Sequence, residues 1–283
     1  MGSFLNFPSY NAIARATTAI ATLLGVRLYL DTEIEWGMGV HTMSSSAGVV
    51  SARAAEGPIA PWWHTVLLLA LKAANSVASV YQHGLAHANL PGLSLRISSY
   101  VTVTAEEWLG VLLIWLALKS RWSSLGSLVS GRWPTAGAFF KDLGIALGVI
   151  VAAIVLTGGL IKLYVILGGT SPEATLAKMT PKTGLELVVW LGLAASGGFC
   201  EEVVYRGYFA QQFSAWTGSR AFGLILQGIV FGLAHGYYGL AMVAVMAHGW
   251  LLGVVAYWRK SLRPGILAHV LQDVLGGVAS VFS

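Results

Sequence analysis

Three short segments of this 283-residue chain set acids, histidines and one arginine at helical spacing. In Glu201-Glu202-Val203-Val204-Tyr205-Arg206-Gly207, Glu202 and Arg206 stand four apart. On a helix they share a face, so the guanidinium can hold the carboxylate ionised through a charge-assisted contact. Glu201 points about 100° away on a helix of 3.6 residues per turn and is not consumed by that pair. It is a candidate general base; the plainer alternative is an ion pair next to a headgroup-level glutamate. The second segment, Phe231-Gly232-Leu233-Ala234-His235, carries an imidazole into an apolar stretch with Gly228, Gly232 and Gly239 roughly on its side. Small residues let membrane helices approach closely, so His235 reads either as an interhelical strut or as a reacting group. The third, His269-Val270-Leu271-Gln272-Asp273, again puts two polar groups four apart. Asp273 can fix the tautomer of His269, complete half of a metal site, or form a buried polar clamp.

The remaining polar candidates read as structural. Glu106, Glu107 and Glu186 fall near expected span ends, where headgroup water solvates a carboxylate. His83 and His87 lie in a connection containing Pro and Gly and read as a solvated pair. His248 has no acid near it in sequence and reads as a packing or cavity residue, and Cys200 as a small apolar one.

The elements that must position these groups follow from composition. The chain is 56% hydrophobic and 10% charged, whereas a soluble domain has about 45–50% and about 25%. That excludes an ordinary soluble domain, and its aromatic content excludes disorder. The net charge of +5 comes from scattered residues with no basic run, so nucleic acid is not an expected partner. With one cysteine, no intramolecular disulfide can form. A membrane helix needs about 20 apolar residues. Seven stretches qualify: 62–82, 100–118, 143–161, 185–200, 221–238, 239–258 and 264–282. An eighth, 12–30, contains Arg15 and Arg27 and fits either a span or an amphipathic surface helix. The expected fold is all-α: a polytopic transmembrane bundle of seven to eight spans, its polar site in a cavity within the membrane. It divides into an N-terminal segment 1–61, membrane helices over 62–179, and a core over 180–283.

Lys119, Arg121, Arg132 and Lys141 crowd one connection, and Arg259, Lys260 and Arg263 another. Arg206 and Arg220 fall between the fourth and fifth spans. These connections are expected on the cytoplasmic side, with Trp122 and Trp133 as interfacial aromatics and the site opening there too. An ionisable group in the bilayer costs at least about 2.5–3.5 kcal/mol, so it must face a protein interior or a wet cavity.

In order along apolar helices, Glu-Glu-x-x-x-Arg, Phe-x-x-x-His and His-x-x-x-Asn/Asp resemble the CPBP family, also called Abi. It includes type II CAAX prenyl endopeptidases and bacteriocin-processing or immunity proteins. The resemblance covers roughly 180–283 and implies an integral, multi-pass intramembrane endopeptidase. It would act on a peptide or protein at the bilayer, with prenylated CAAX-type chains as one substrate class. It assigns water activation to Glu201 with His235, oxyanion stabilisation to His269 with Asp273, and organisation of the site to Glu202 and Arg206. An ionised Asp273 is acceptor-only, so it is protonated, orients His269 or binds metal. A metal-type version would use Glu201, His235 and His269 as Zn²⁺ ligands. The cofactor-free version is preferred, because no His-Glu-x-x-His motif occurs. The alternative from another class is a non-catalytic relative serving immunity, scaffolding or transport.

Overall fold

A computed structural model describes residues 57–85, 92–120, 124–130 and 132–282. The expected helix at 12–30, His87 and the side chain of His83 lie outside the described residues. Among the described residues the chain is helical throughout, as composition requires: in hydrocarbon only a helix satisfies every backbone group from within one segment. The elements are α1 (Trp62–Leu85), α2 (Gly92–Lys119), the short α3 (Leu125–Val129), α4 (Ala136–Ile166), the short α5 (Glu173–Met179), α6 (Gly184–Thr217), α7 (Arg220–Ala234), α8 (Met242–Arg259) and α9 (Arg263–Phe282). A 3₁₀ connection, Gly236–Ala241, joins α7 to α8.

Local sequence sets the boundaries. The hydroxyls of Ser124, Thr135, Thr183 and Ser219 each accept a backbone N–H in the first turn of α3, α4, α6 and α7. Gly218, at φ +67°, ends α6 in the left-handed region where a Cβ is unwelcome. Five helices are long and apolar enough to cross a membrane: Leu95–Lys119, Ala136–Ile166, Gly184–Thr217, Gly236–Arg259 and Arg263–Phe282. The expected stretches at 62–82 and 221–238 are helical too, but α7 is shorter and α1 does not reach that standard. On those grounds the described residues do not reach seven to eight spans. In α4, Ala146, Val149, Ile150 and Ala153 are buried while Leu147, Val151, Ile154 and Val155 are exposed. This is the two-faced pattern of a helix with lipid on one side.

The bundle is organised around α6. Its first half packs on α2 and α9, its last turns on α7, and α7 in turn lies along α8. A side chain at Gly228 would collide with Trp250, and one at Gly232 with Met246, which is why these two helices sit close. Gly239, expected on the same face, instead turns the chain at φ +59°. Helix α4 closes the α8–α9 side through Ala146, Val149, Leu252 and Ala268.

The basic connections meet at one end. Asp142 receives Arg259 at 2.7 Å and Arg263 at 3.4 Å. Ser130 donates to the Lys260 carbonyl at 2.6 Å. Arg206 is the exception to the sequence expectation: it is not in a connection but inside α6, buried, and does not count toward topology.

Candidate active site

The centre of α6 is not α-helical. After Gly184–Glu201 the chain winds through eight π-helical residues, Glu202–Phe209, before the α-helix resumes at Ala210. π-turns commonly mark functional sites. All eight of these residues are buried, which no amphipathic helix would achieve, because α2, α3, α7 and α8 surround the segment. The expectation that Glu201 lies near a span end is therefore corrected. It sits about midway along α6, roughly 25 Å of helix from either end at about 1.5 Å per residue, and so at the depth of the other polar groups.

The ion pair read from spacing is present. Arg206 Nη1 lies 3.1 Å from Glu202 Oε1, with both side chains fully buried. The guanidinium also sits 4.2 Å from the centre of the Phe231 ring, and Nη2 donates to the Gly249 carbonyl at 3.4 Å. A cation over an aromatic face is stabilised by the ring quadrupole. Phe231 thus contributes more than spacing to its motif: it ties α7 to Arg206.

Two glycines bring α9 against this pair. A Cβ at Gly198 would stand 2.7 Å from the Val270 backbone nitrogen, and one at Gly265 2.7 Å from Glu202 Oε2. With hydrogen at both positions, His269 reaches two carboxylates at once. Its Nδ1 lies 3.3 Å from Glu202 Oε1 and its Nε2 3.5 Å from Glu201 Oε2. Asp273 Oδ2 is farther, 3.8 Å from Nε2, beyond hydrogen-bond reach. Of the roles left open for Asp273, holding the His269 ring falls across helices to Glu202, which faces Nδ1.

His235 ends α7. Its Nδ1 donates to the Phe231 carbonyl at 2.8 Å, which fixes the proton there and leaves Nε2 available. That bond stays within one helix, so it does not make His235 an interhelical strut. The Phe231 ring lies beside both histidines, its centre 4.8 Å from that of His235 and 6.1 Å from that of His269. Access separates the adjacent acids. Glu202 is fully buried, Glu201 is 15% exposed and Asp273 38%. The cluster is reached from the Asp273 side, past Glu201.

Several participants were not legible. His248, read as a packing residue, puts its ring centre 6.0 Å from His269, and its buried Nε2 has no hydrogen-bond partner among the described residues. Tyr237 and Tyr238 flank His235 at ring separations of 5.6 and 6.5 Å. Glu106 and Glu107 are not span-end residues in headgroup water. They are buried partners of Lys72 on α1, whose Nζ lies 2.7 Å from Glu107 and 3.2 Å from Glu106. Glu186 is structural as read, but protein groups rather than water satisfy it: Arg96 Nε at 2.7 Å and the backbone N–H groups of Lys182 and Thr183. Cys200 is buried and small, as expected.

Among the described residues, no three His, Cys, Asp or Glu side chains come together as a group able to hold a metal ion. Glu201, His235 and His269 share one region without forming such a cage.

Residues 183–275 match the sequence model of the type II CAAX prenyl endopeptidase Rce1-like family. This segment is similar to that family. The match opens at Thr183, the cap of α6, and closes just after Asp273, so it takes in all seven residues of the three motifs. No curated protein and no solved structure matches the chain. Protease activity therefore attaches to the Rce1-like segment at the level of its family, and with the apolar helices it makes the chain an integral membrane protein.

Proposed function

We propose that the Rce1-like segment hydrolyses a peptide bond of a membrane-associated substrate, with a prenylated CAAX-type protein as the favoured class. Water is activated by Glu201 and His235. The observation that carries the reading is the meeting of the three motifs around one histidine: His269 stands 3.3 Å from Glu202, 3.5 Å from Glu201 and 3.8 Å from Asp273, and its ring centre lies 6.1 Å from that of Phe231.

Amide hydrolysis requires a base for water, a donor for the developing oxyanion and an acid for the leaving amine. Glu201 is the accessible carboxylate and takes the proton from water, while Nε2 of His235 orients that water. The substrate carbonyl enters beside Nε2 of His269, whose N–H turns from Glu201 to the oxyanion as charge develops. Protonated Glu201 then delivers its proton to the departing nitrogen. Glu202, closed off by Arg206, holds Nδ1 of His269 and so aims the ring; it does not touch substrate. Asp273, as an acceptor, supplies a counter-charge to His269 rather than an oxyanion donor. None of these steps uses a metal. The basic end of the bundle faces the cytoplasm, in keeping with the positive-inside rule.

The test is cleavage of a peptide delivered in lipid vesicles by purified protein. Glu201→Gln, His235→Ala and His269→Ala each abolish turnover while insertion and melting are retained. Wild-type turnover in all three would leave the non-catalytic alternative in possession.

A further inference from the structure

Beside Arg206 the fold contains a second feature that the proteolytic reading does not use. A cavity of about 120 Å³ runs from buried Arg206 to exposed Tyr257 and Lys260, bounded by α3, the end of α6, the start of α7 and the α8–α9 turn. Among the described residues its lining includes three cations, Arg206, Arg220 and Lys260, and no carboxylate. Hydroxyls of Ser130, Ser261 and Tyr257 line it as well, and its lower wall is apolar, from Leu128, Leu224 and Leu262.

Two independent observations point to an anion. Arg206 is fully buried, and its Nε has no hydrogen-bond partner among the described residues although Nη1 faces Glu202. A buried N–H of a charged group without an acceptor is costly. The wall is also one-signed among the described residues: Asp142, which meets Arg259 and Arg263 at this end, does not line the cavity.

We propose that this cavity binds the phosphate headgroup of an acidic phospholipid. It lies at the basic end of a membrane bundle, where headgroups are, and its mixture of cations, hydroxyls and leucines suits an anionic head carrying apolar chains. A choline head would set its own cation among three others with no carboxylate to receive it. The anion shares Arg206 with Glu202, so the site is joined electrostatically to the polar centre of α6. The proposal stands apart from the proteolytic reading, and its test needs no turnover.

Full-length protein in detergent is exposed to phosphatidylglycerol, phosphatidylcholine or inorganic phosphate, and retained molecules are weighed by native mass spectrometry. Wild type retains phosphatidylglycerol in preference to phosphatidylcholine, and excess inorganic phosphate does not displace it. Lys260→Ala and Arg220→Gln each reduce the preference by about fivefold, as expected for one cation near a charged headgroup. Their unchanged melting curves without added lipid show that the fold is kept. Equal retention of the two lipids by wild type, or an undiminished preference in both variants, overturns the proposal. Displacement by inorganic phosphate would assign the site to free phosphate and overturn the lipid assignment.

Discussion

Glu186 and Glu201 belong to the same helix and both carry carboxylates out of bulk water, but the fold treats their oxygens in opposite ways. Glu186 is saturated: Arg96 at 2.7 Å, the Lys182 N–H at 2.7 Å and the Thr183 N–H at 3.1 Å leave nothing for a substrate. Glu201 Oε2 has no hydrogen-bond partner among the described residues, only Nε2 of His269 at 3.5 Å. The Lys72–Glu106–Glu107 cluster lies between these extremes, with one cation directly paired to two acids. An open oxygen does not by itself define a base, since Glu202 Oε2 and Glu107 Oε2 also lack hydrogen-bond partners among the described residues; the proposed base Glu201 differs from Glu202 in being partly exposed. The residue type says nothing of this; partners and exposure decide it.

Substitution sharpens the contrast. The largest effect is expected at Glu201→Gln, which removes the base and lowers turnover by about 10²–10⁴-fold with little change in melting, read by vesicle cleavage and calorimetry together. A comparable fall in stability with no specific loss of rate would break the comparison. Next comes Lys72→Met, which leaves Glu106 and Glu107 buried without a cation and costs about 3–5 kcal/mol of stability. Denaturation in detergent measures it, and Lys72→Met combined with Glu107→Gln recovers part of the loss. Glu186→Gln keeps shape but loses charge against Arg96 and the cap, for about 1–3 kcal/mol, with the chemical step intact in protein that stays folded. The smallest effect is expected from a strong chelator. Turnover of purified protein stays within error, and a loss restored by Zn²⁺ would remove the metal-free mechanism.

Much of this was written in spacing. The i,i+4 arithmetic that paired Glu202 with Arg206 needs only local helix, and the three motifs needed only order along apolar segments. What spacing could not supply was the pairing between helices. Lys72 and Glu107 lie far apart in sequence, so their ion pair was invisible and Glu107 looked like a charge near a span end. His248 carries no local partner at all; only the docking of α8 brings it beside His269. Arg206 misled in the other direction. A basic residue at the end of an apolar run reads as a topology signal, and nothing in composition reveals that the helix continues to Thr217. The placement of α9 was half legible: Gly198 and Gly265 are visible as glycines, but not what each must let through.

The widened coil at Glu202–Phe209 has one further consequence. Hydrocarbon forbids a loop, because a loop would strand backbone amides without partners, so a chain that needs to change which neighbours it addresses cannot stop and restart inside the bilayer. Loosening the winding for a few residues shifts the angular register of everything downstream while the amides stay bonded. The stretch before it can then answer to α2 and α9 and the stretch after it to α7, as though two rods had been spliced without a joint. Rigidity and an offset between surfaces, normally traded against one another, are here obtained from the same few residues.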